Sequence, residues 1–291
     1  MTPYYAELSA DGVPTVRFEG SQSLQCLGIS KNGIEGWDST PAAKVTVTER
    51  GQGDGGHDIA AGDILYASRT VSLHFNAVGL DREGLVSQLD ALRRMVHRPV
   101  RLRVVDTADT YCDGGYLSLN IDAKRHESWT EECTATIVFE RPERLSTRAY
   151  DVQLTPREYE HGMGLSYGDK GNGLAYDLDY GALSTMPNTG ILRNHGTSRA
   201  YPTYKVTGPF PHGVRLDFPA LGTSIECTQP VSDVPLILDT RTRSASIDRL
   251  DVSRTLTQRD WPTIPPGGGL DVTLATIGTG WVDCISHDTY M

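Results

Sequence analysis

A serine between two glycines is the first candidate for a catalytic residue in the sequence. Residues 164–168 read GLSYG, which matches the G-x-S-x-G pattern of serine hydrolases and makes Ser166 the candidate nucleophile. That pattern works at a sharp turn between a buried strand and a helix. The preceding REYEHGM is a poor buried strand, and the following DKGNGLAYDLDYG is too rich in glycine for a helix. Ser166 is therefore interpreted as a loop serine, with hydrolysis kept as an alternative.

A glycine-rich segment offers groups that could ligate a cation or cradle a phosphate. It reads GQGDGGHDIAAGD over residues 51–63. A phosphate-binding loop requires a Lys-Ser/Thr pair after its glycines, which is missing here, and the acidic spacing is not that of an EF-hand. We interpret the segment as a loop that projects from a sheet and becomes ordered, if at all, against a neighbouring subunit. The candidate ligands are Asp54, His57, Asp58 and Asp63.

Two acidic residues and the histidines complete the search for catalytic groups. Asp177 and Asp179 would point to the same face of a strand, where two carboxylates could act as acid and base, but this spacing is common by chance. The eight histidines form no HExxH motif and no close pair. We therefore predict a protein that is not an enzyme, with no catalytic residue, no cofactor and no metal.

The five cysteines do not suggest a disulfide scaffold or a zinc site. Their number is odd, they are widely spaced, and no two form a CxxC pair. We expect them to be buried thiols. They are Cys26, Cys112, Cys133, Cys227 and Cys284.

The charge of the chain disfavours general nucleic-acid binding. The formal net charge is -10 and the isoelectric point is about 5.2, so the molecule as a whole repels a polyanion. The basic clusters LRRMVHRPVRLR and RTRSASIDR are short and are interpreted as solvated faces or interface salt bridges. The start MTPYYAELSA lacks the features of a signal peptide, and no apolar run is long enough to span a membrane. These features predict synthesis in a cytoplasm and release, if any, by lysis.

One segment has a clear helical period. Over residues 81–97, leucines and a valine recur at intervals of four, three and four, which places them on one face of a helix. Asp81 can cap the start, basic residues favour the C-terminal end, and Pro99 prevents continuation. The spacing therefore predicts a helix over 81–97.

The rest of the chain has the period-two pattern of strands. AAKVTVTE, RTVSLHFNAV, PVRLRVV, YLSLNID and CTATIVFE predict strands around the helix. After residues 140–150 the helical period does not return, and short strand-like runs follow at regular spacing with Pro or Gly between them, which is typical of a β-sandwich. We predict a mainly β protein with an α+β domain over residues 1–147 and a sandwich over residues 148–291.

Residues 193–209, RNHGTSRAYPTYKVTGP, combine a turn, an aromatic-proline step and a short strand. Asn194 and Gly196 supply a turn that tolerates positive φ, and Pro202 pushes Tyr201 into an extended conformation. The following TYKVT alternates as a strand does until a Gly-Pro pair ends it. We interpret the segment as a structural motif. Its residues are Asn194, Gly196, Thr197, Tyr201, Pro202, Gly208 and Pro209.

This segment resembles the distal tail proteins of phages with long non-contractile tails. Later stretches are similar as well: SIDRL resembles a strand of that family, and WPTIPPGGGLDVTL resembles its tryptophan and Pro-Gly turn before a closing strand. One departure is that Gly268 to Asp271 follow the turn, where the family usually has an asparagine. SRTVSLHFNAVG, the helix and RPVRLRV resemble the family's belt domain, so the resemblance covers most of the chain.

The resemblance implies both an architecture and a role. Residues 1–147 would be a belt-like, ring-forming β domain with one packed helix, and residues 148–291 a galectin-like β-sandwich. The protein would be a structural virion protein at the phage tail tip, assembled as a homo-hexameric ring. Its partners would be the tail tube protein, a tail-tip hub or tail-associated protein and the tape measure protein, with DNA passing through the ring without specific binding.

A binding module is the alternative function. A galectin-like sandwich could hold a host-surface saccharide, with Trp261, Trp281 or exposed tyrosines as stacking platforms. A sandwich fold alone does not confer sugar binding. Each tryptophan has core packing as its structural alternative.

Overall fold

In a computed structural model of the chain, the described residues are 4–19, 26–58, 64–122, 130–156 and 187–291. They separate into two units, residues 1–147 with 290–291 and residues 148–289. Nearly all regular structure in the described residues is β-strand, with one α-helix. The mainly β fold class predicted from the sequence is therefore confirmed.

The first unit contains seven strands, the start of an eighth and the α-helix, counted over its described residues. They are β1 (Tyr5–Ala10), β2 (Val13–Glu19), β3 (Cys26–Glu35), β4 (Arg69–Val78), α1 (Arg82–Arg93), β5 (Val100–Val105), β6 (Asp109–Asp122), β7 (Thr130–Phe139) and β8 (Arg144–Leu154), which continues into the second unit. The strand order is β6-β5-β1-β2-β3-β4-β7, and β7 also pairs with β6, so the sheet closes on itself.

Strand β4 shows why this sheet forms. Every second side chain from Arg69 to Ala77 is buried, which is the alternation that its sequence predicts. Pairing with β7 continues without a break from Arg69 opposite Phe139 to Val78 opposite Thr130. The weakest junction is between β2 and β3, which share one parallel pair, Glu19 opposite Gly28, among the described residues.

Helix α1 packs its leucines into the core of the first unit. Leu85, Leu89 and Leu92 are buried, and the carboxylate of Asp81 accepts a hydrogen bond from the Gly84 amide at 2.7 Å as the N-cap. The helix ends at Arg93, four residues before the predicted end at 97. Beyond it the amides of Met95 and Val96 bond three residues back rather than four, so the chain tightens into turns.

The strand predicted for AAKVTVTE does not form. Residues 42–58 and 64–67, which we call the arm, contain only two isolated bridges, Ala43 with Tyr66 and Glu49 with Gly56. An alternating apolar pattern alone is not sufficient to form a strand, because the apolar side chains of the strand also need a surface to pack against. Val47 in this segment has no such surface and is 58% exposed. The glycine-rich loop within the arm projects as predicted, with nearly all of residues 51–58 exposed.

The second unit is a two-sheet sandwich over its described residues. One sheet has the order β15-β14-β13-β10-β18-β8, and the other has the order β16-β12-β11-β17-β9. Its strands after β8 are β9 (Thr189–Arg193), β10 (Thr203–Thr207), β11 (Val214–Phe218), β12 (Thr223–Cys227), β13 (Leu236–Asp239), β14 (Ser244–Ile247), β15 (Leu250–Asp251), β16 (Leu256–Arg259), β17 (Gly269–Leu274) and β18 (Trp281–Tyr290).

The core of this unit lies between the two sheets. Tyr204 of β10 and Phe218 of β11 come from opposite sheets, and their ring centroids are 5.9 Å apart. Both side chains are fully buried. Pairs of this kind hold the sheets together by burying large apolar areas, about 25 cal/mol for each Å² removed from water.

Candidate functional site

Asn194 is the centre of the structural motif predicted from the sequence. It directly follows β9, and only 1% of its surface is exposed. Its side-chain oxygen accepts hydrogen bonds from the backbone amides of Gly196, at 3.0 Å, and of Thr289, at 3.1 Å. The two amides are 93 residues apart, so one carbonyl oxygen ties the local turn to the end of β18.

The amide nitrogen of Asn194 faces a second set of backbone groups. It donates to the carbonyl oxygens of Ser198 at 2.7 Å, Ile264 at 3.3 Å and Pro265 at 3.3 Å. The amide group is thus satisfied on both sides while buried, which is the condition for a buried polar side chain to stabilise a fold. Asn194 joins three separate segments of the sandwich.

Gly196 is required by close approach and not by its backbone angle. A Cβ atom on Gly196 would lie 2.0 Å from the carbonyl oxygen of Thr289. Neither Asn194 nor Gly196 has a positive φ, so the turn does not use the positive-φ conformation that these residue types tolerate. The turn instead brings the backbone against β18, where the Ser198 amide donates to the Thr289 carbonyl at 2.9 Å. Thr197 is exposed in the same turn.

The aromatic-proline step fixes the entry to β10. The Arg241 guanidinium lies over the Tyr201 ring, 4.4 Å from its centroid. The carbonyl oxygen of Pro202, which is buried, accepts from the Thr240 hydroxyl at 2.8 Å. The strand then begins at Thr203, as predicted.

The Gly208-Pro209 pair ends β10 where two backbones meet. The peptide bond between these residues is cis. A Cβ on Gly208 would lie 2.5 Å from the carbonyl oxygen of Val231, so a larger residue would collide with the neighbouring segment. Phe210 and Val231 then exchange backbone hydrogen bonds of 2.8 and 3.0 Å. The motif is therefore a set of backbone junctions, and it presents no reactive group.

The candidate catalytic and metal-binding residues are not brought together by the described part of the chain. Ser166, Asp177, Asp179 and Asp63 lie outside the described residues. Asp58 forms an ion pair with Arg50 at 2.8 Å, on the exposed arm. Within the described ranges, no three His, Cys, Asp or Glu side chains are close enough to hold a metal ion.

No disulfide joins any of the five cysteines, all of which are described, and four of the five are buried, as predicted. Burial raises the pKa of Cys112 to about 12 and that of Cys133 to about 11. A thiolate is the nucleophilic form of cysteine, so these two groups are inert at neutral pH. Cys26, at the start of β3, is partly exposed.

Arg69 is a structural residue that the sequence analysis missed. It is almost completely buried, and its guanidinium donates to the carbonyl oxygens of Pro142, Gly36, Trp37 and Ser39 at 2.6 to 2.8 Å. Burial lowers its pKa. The signal was present in the sequence, because Arg69 is in phase with the buried side chains of β4. Its bonds fix the segment from which the arm begins.

Ion pairs cover the outer face of β1, β5 and β6. Arg103 donates to Glu7 at 2.9 Å and to Asp109 at 2.8 and 2.7 Å. The hydrogen bonds from Arg103 lower the pKa of Asp109, and Thr147 adds a further hydrogen bond at 2.6 Å. Arg101 pairs with Asp113 at 2.6 Å. The basic residues of this stretch thus form ion pairs within the chain, while the expectation of salt bridges at a subunit interface stays a prediction.

The two tryptophans proposed as sugar platforms have different surroundings. Trp261 packs partly buried against the sandwich core. Trp281 is 38% exposed, and its ring nitrogen donates to Asp283 at 3.3 Å. Gln153 donates to the other oxygen of Asp283 at 2.8 Å, so an aromatic ring and two polar groups share one surface of the unit.

Over the described residues, none of the helical structure has the length and apolar character that crossing a bilayer requires.

Comparison with known proteins shows a likeness in fold to solved structures. No family model matches the sequence, and no curated protein matches it. Among solved structures, the crystal structure of the SPP1 Dit protein covers 98% of this chain and 99% of its own, with a TM-score of 0.60 and 11% sequence identity. The chain shares the fold of SPP1 Dit.

SPP1 Dit is described as a paradigm of the hub adsorption apparatus in phages that infect Gram-positive bacteria. The likeness extends over both units, so the resemblance to distal tail proteins stated from the sequence is confirmed at the level of the fold. Two structures of the phage P2 baseplate in its activated conformation, with Ca and with Sr, give TM-scores of 0.48 and 0.46 at 13% and 11% identity. They cover 98% and 97% of this chain and the same shares of their own chains.

Proposed function

We propose that this chain is a structural protein of a phage tail tip, which assembles as a hexameric ring. The ring joins the tail tube to the hub and host-recognition apparatus, and its neighbours are the tail tube protein, a tail-associated hub protein and the tape measure protein. The site of action is the virion. The observation that carries the proposal is the likeness to SPP1 Dit over 98% of the chain.

The chemistry of the described residues supports a structural role. The side-chain amide of Asn194 forms its hydrogen bonds with backbone groups that join segments of the sandwich. Burial raises the pKa of two thiols that could act as nucleophiles, Cys112 and Cys133. A chain whose conspicuous polar residues hold strands in place fits a building block better than an enzyme.

The net charge supports a conduit for DNA. A basic channel would retain DNA through the release of counterions, whereas an acidic protein lets the polyanion pass. With a formal charge of -10 on each copy, a ring repels DNA as a whole. DNA then passes through the centre without specific binding.

Projection imaging of the purified protein tests this proposal. Negative-stain class averages should contain closed rings with six-fold rotational symmetry and a central hole. Averages that contain only single copies, at every concentration tested, would contradict the ring.

Saccharide binding is a second candidate function, favoured by the half-exposed Trp281 beside Asp283 and Gln153. An exposed aromatic face with flanking hydrogen-bonding groups is suited to stack on a sugar ring. Binding of the protein to a panel of bacterial cell-wall glycans should then be lost in Trp281→Ala and kept in Trp261→Phe. Failure of the unmodified protein to bind any glycan would rule this candidate out.

A further inference from the structure

Strand β3 contains a wide bulge where it pairs with β4. Ile29 lies opposite Phe75, whereas Ile34 lies opposite Leu73. Four residues of β3, 30–33, therefore correspond to a single residue of β4. Bulged residues lose their partners in the ladder, and the strand bends around them. The bulge, which reads Ser-Lys-Asn-Gly, is thus held less firmly than the paired parts of β3 on either side.

Asn32 has few contacts within this bulge. Its side chain is exposed. Its backbone amide donates to the Ser30 hydroxyl at 3.3 Å, which is a long hydrogen bond. Its side-chain amide forms no hydrogen bond within the described ranges of the chain. The side chain can therefore rotate toward the backbone that follows it.

Gly33 leaves open space beside the peptide bond that it shares with Asn32. Its φ is +65°, in the left-handed region that favours glycine. A Cβ atom at this position would meet nothing within 4 Å in the described structure. Because glycine also changes its backbone angles at low cost, the Gly33 nitrogen can approach the Asn32 side chain.

We propose that Asn32 is a site of spontaneous deamidation, with the backbone nitrogen of Gly33 as the internal nucleophile. Asparagine is among the residues that degrade chemically on heating. The bulge supplies what the reaction requires, which is an unbonded side-chain amide followed by an unhindered, adaptable glycine. The inference concerns the first unit alone and does not depend on the proposed ring.

The reaction needs only water as a co-reactant. The Gly33 nitrogen attacks the side-chain carbonyl carbon of Asn32, the amide proton passes to solvent, and the side-chain nitrogen leaves as ammonia. The product is a five-membered cyclic imide. Water then adds to one of the two ring carbonyls and breaks its bond to nitrogen. One opening gives aspartate, and the other gives isoaspartate, in which the main chain runs through the former side chain.

The fold can accommodate both products. Isoaspartate lengthens the main chain by one methylene group, and residues 30–33 are already out of register with β4. Asn32 lines a surface cavity of about 570 Å³ together with Lys31 and Glu132. Deamidation places a carboxylate at the edge of this cavity and adds one negative charge to a chain with a formal charge of -10. We expect the first unit to stay folded after the change.

The other described asparagines are held more firmly, and none of them precedes a glycine. Asn194 is 1% exposed, and its amide is bonded on both sides. Asn76 of β4 and Asn120 of β6 have partners opposite them in β7. The side chain of Asn188 donates to the Leu274 carbonyl at 3.3 Å. A second Asn-Gly pair, residues 172–173, lies outside the described residues.

Peptide mapping after storage of the full chain in mildly alkaline buffer tests the proposal. Cleavage after glutamate gives a peptide of residues 20–35 with a single asparagine, Asn32. Its mass should rise by the difference between an amide and a carboxyl group, and fragment spectra should place the change at Asn32. Exposed segments open at a free-energy cost near zero, so the rate in the folded chain should be within about tenfold of the rate in urea. Peptides that contain Asn76 or Asn194 should keep their mass in the folded chain.

Two variants separate the reaction from its effect on the fold. Asn32→Gln keeps an amide but would need a six-membered ring, so its peptide should keep its mass. An enzyme that methylates isoaspartate should label the stored unmodified protein at peptide 20–35 and should not label this peptide in Asn32→Gln. Asn32→Asp carries one of the two products from the start, and its melting temperature should equal that of the unmodified protein.

The contrary results are distinct from one another. If peptide 20–35 gains mass in urea and keeps it unchanged in the folded chain, the bulge holds Asn32 away from Gly33 and the proposal is wrong. A peptide that is unchanged in both states refutes it as well. Loss of folded structure in the stored protein, in step with the mass change at Asn32, would refute the accommodation by the bulge. None of these results bears on the ring.

Discussion

Replacing Asn194 with alanine removes the side chain that joins three segments of the sandwich. Asn194→Ala leaves the amides of Gly196 and Thr289 without their buried acceptor, and it removes the donor to the Ser198 carbonyl. Solvent does not reach these groups easily, because Asn194 is 1% exposed and Thr289 is also buried. The perturbation therefore creates unsatisfied polar groups in the interior.

The expected loss of stability follows from those two amides. A buried donor left without a partner costs about 1–3 kcal/mol, so two of them cost about 2–6 kcal/mol. Because whole domains are stable by only about 5–15 kcal/mol, a loss near 4 kcal/mol is a large fraction of the total. Asn32→Ala is a matched control at an exposed position, and we expect a change within about 0.5 kcal/mol.

Hydrogen exchange measured by mass spectrometry localises the effect. In Asn194→Ala, peptides that contain Gly196 and Thr289 should lose protection, while peptides from β4 in the first unit should exchange at the original rate. Urea unfolding of the full chain gives the accompanying free energy. A loss below about 1 kcal/mol, a change comparable with ordinary surface substitutions, would refute the role assigned to Asn194.

Three further substitutions test other parts of the account. Gly196→Ala should prevent normal packing of the sandwich, seen as a lower melting temperature, because its Cβ would overlap the Thr289 carbonyl; an unchanged melting temperature would contradict this. Tyr204→Phe should leave stability unchanged or raise it by about 1 kcal/mol in urea unfolding, since the buried Tyr204 hydroxyl has no hydrogen-bond partner among the described residues; a clear loss of stability would contradict this. The pKa of Asp109 is lowered by Arg103, so its contribution to stability is present above about pH 4 and is lost as the pH falls through the lowered value. Asp109→Asn should therefore flatten the acid limb of a stability-versus-pH curve, and an unchanged limb would exclude the pair as a source of acid sensitivity.

Strands with large apolar residues on one face could be predicted from the sequence. RTVSLHFNAV became β4 with the predicted bounds, because its buried positions are all in one phase. Strand β18 was missed for the opposite reason. Its buried positions include Cys284 and Ser286, while Trp281 and Ile285 lie on the outer side. Large apolar residues therefore do not mark the face of β18 that is buried.

The arm is a case in which the local sequence pattern predicted a strand that does not form. AAKVTVTE alternates as a strand should, but a strand also needs a partner and a surface to cover, and neither is supplied within the described chain. Single-sequence pattern carries no information about such partners.

The position of the structural motif was predictable, but its purpose was not. The turn at Asn194 and the start of β10 follow from local residue types. The groups that Asn194 binds lie 70 and 95 residues away, at Ile264 and Thr289, and only the folded chain brings them together. The requirement for glycine at 196 likewise comes from a distant strand.

The mass of the assembled particle tests the central claim most directly. Size-exclusion chromatography with light scattering should give a single species of about 190 kDa, six times the 31.8 kDa of one chain, that persists across dilution. A species that stays at the mass of one chain throughout the concentration range would contradict the claim that this protein is a ring-forming component of a phage tail.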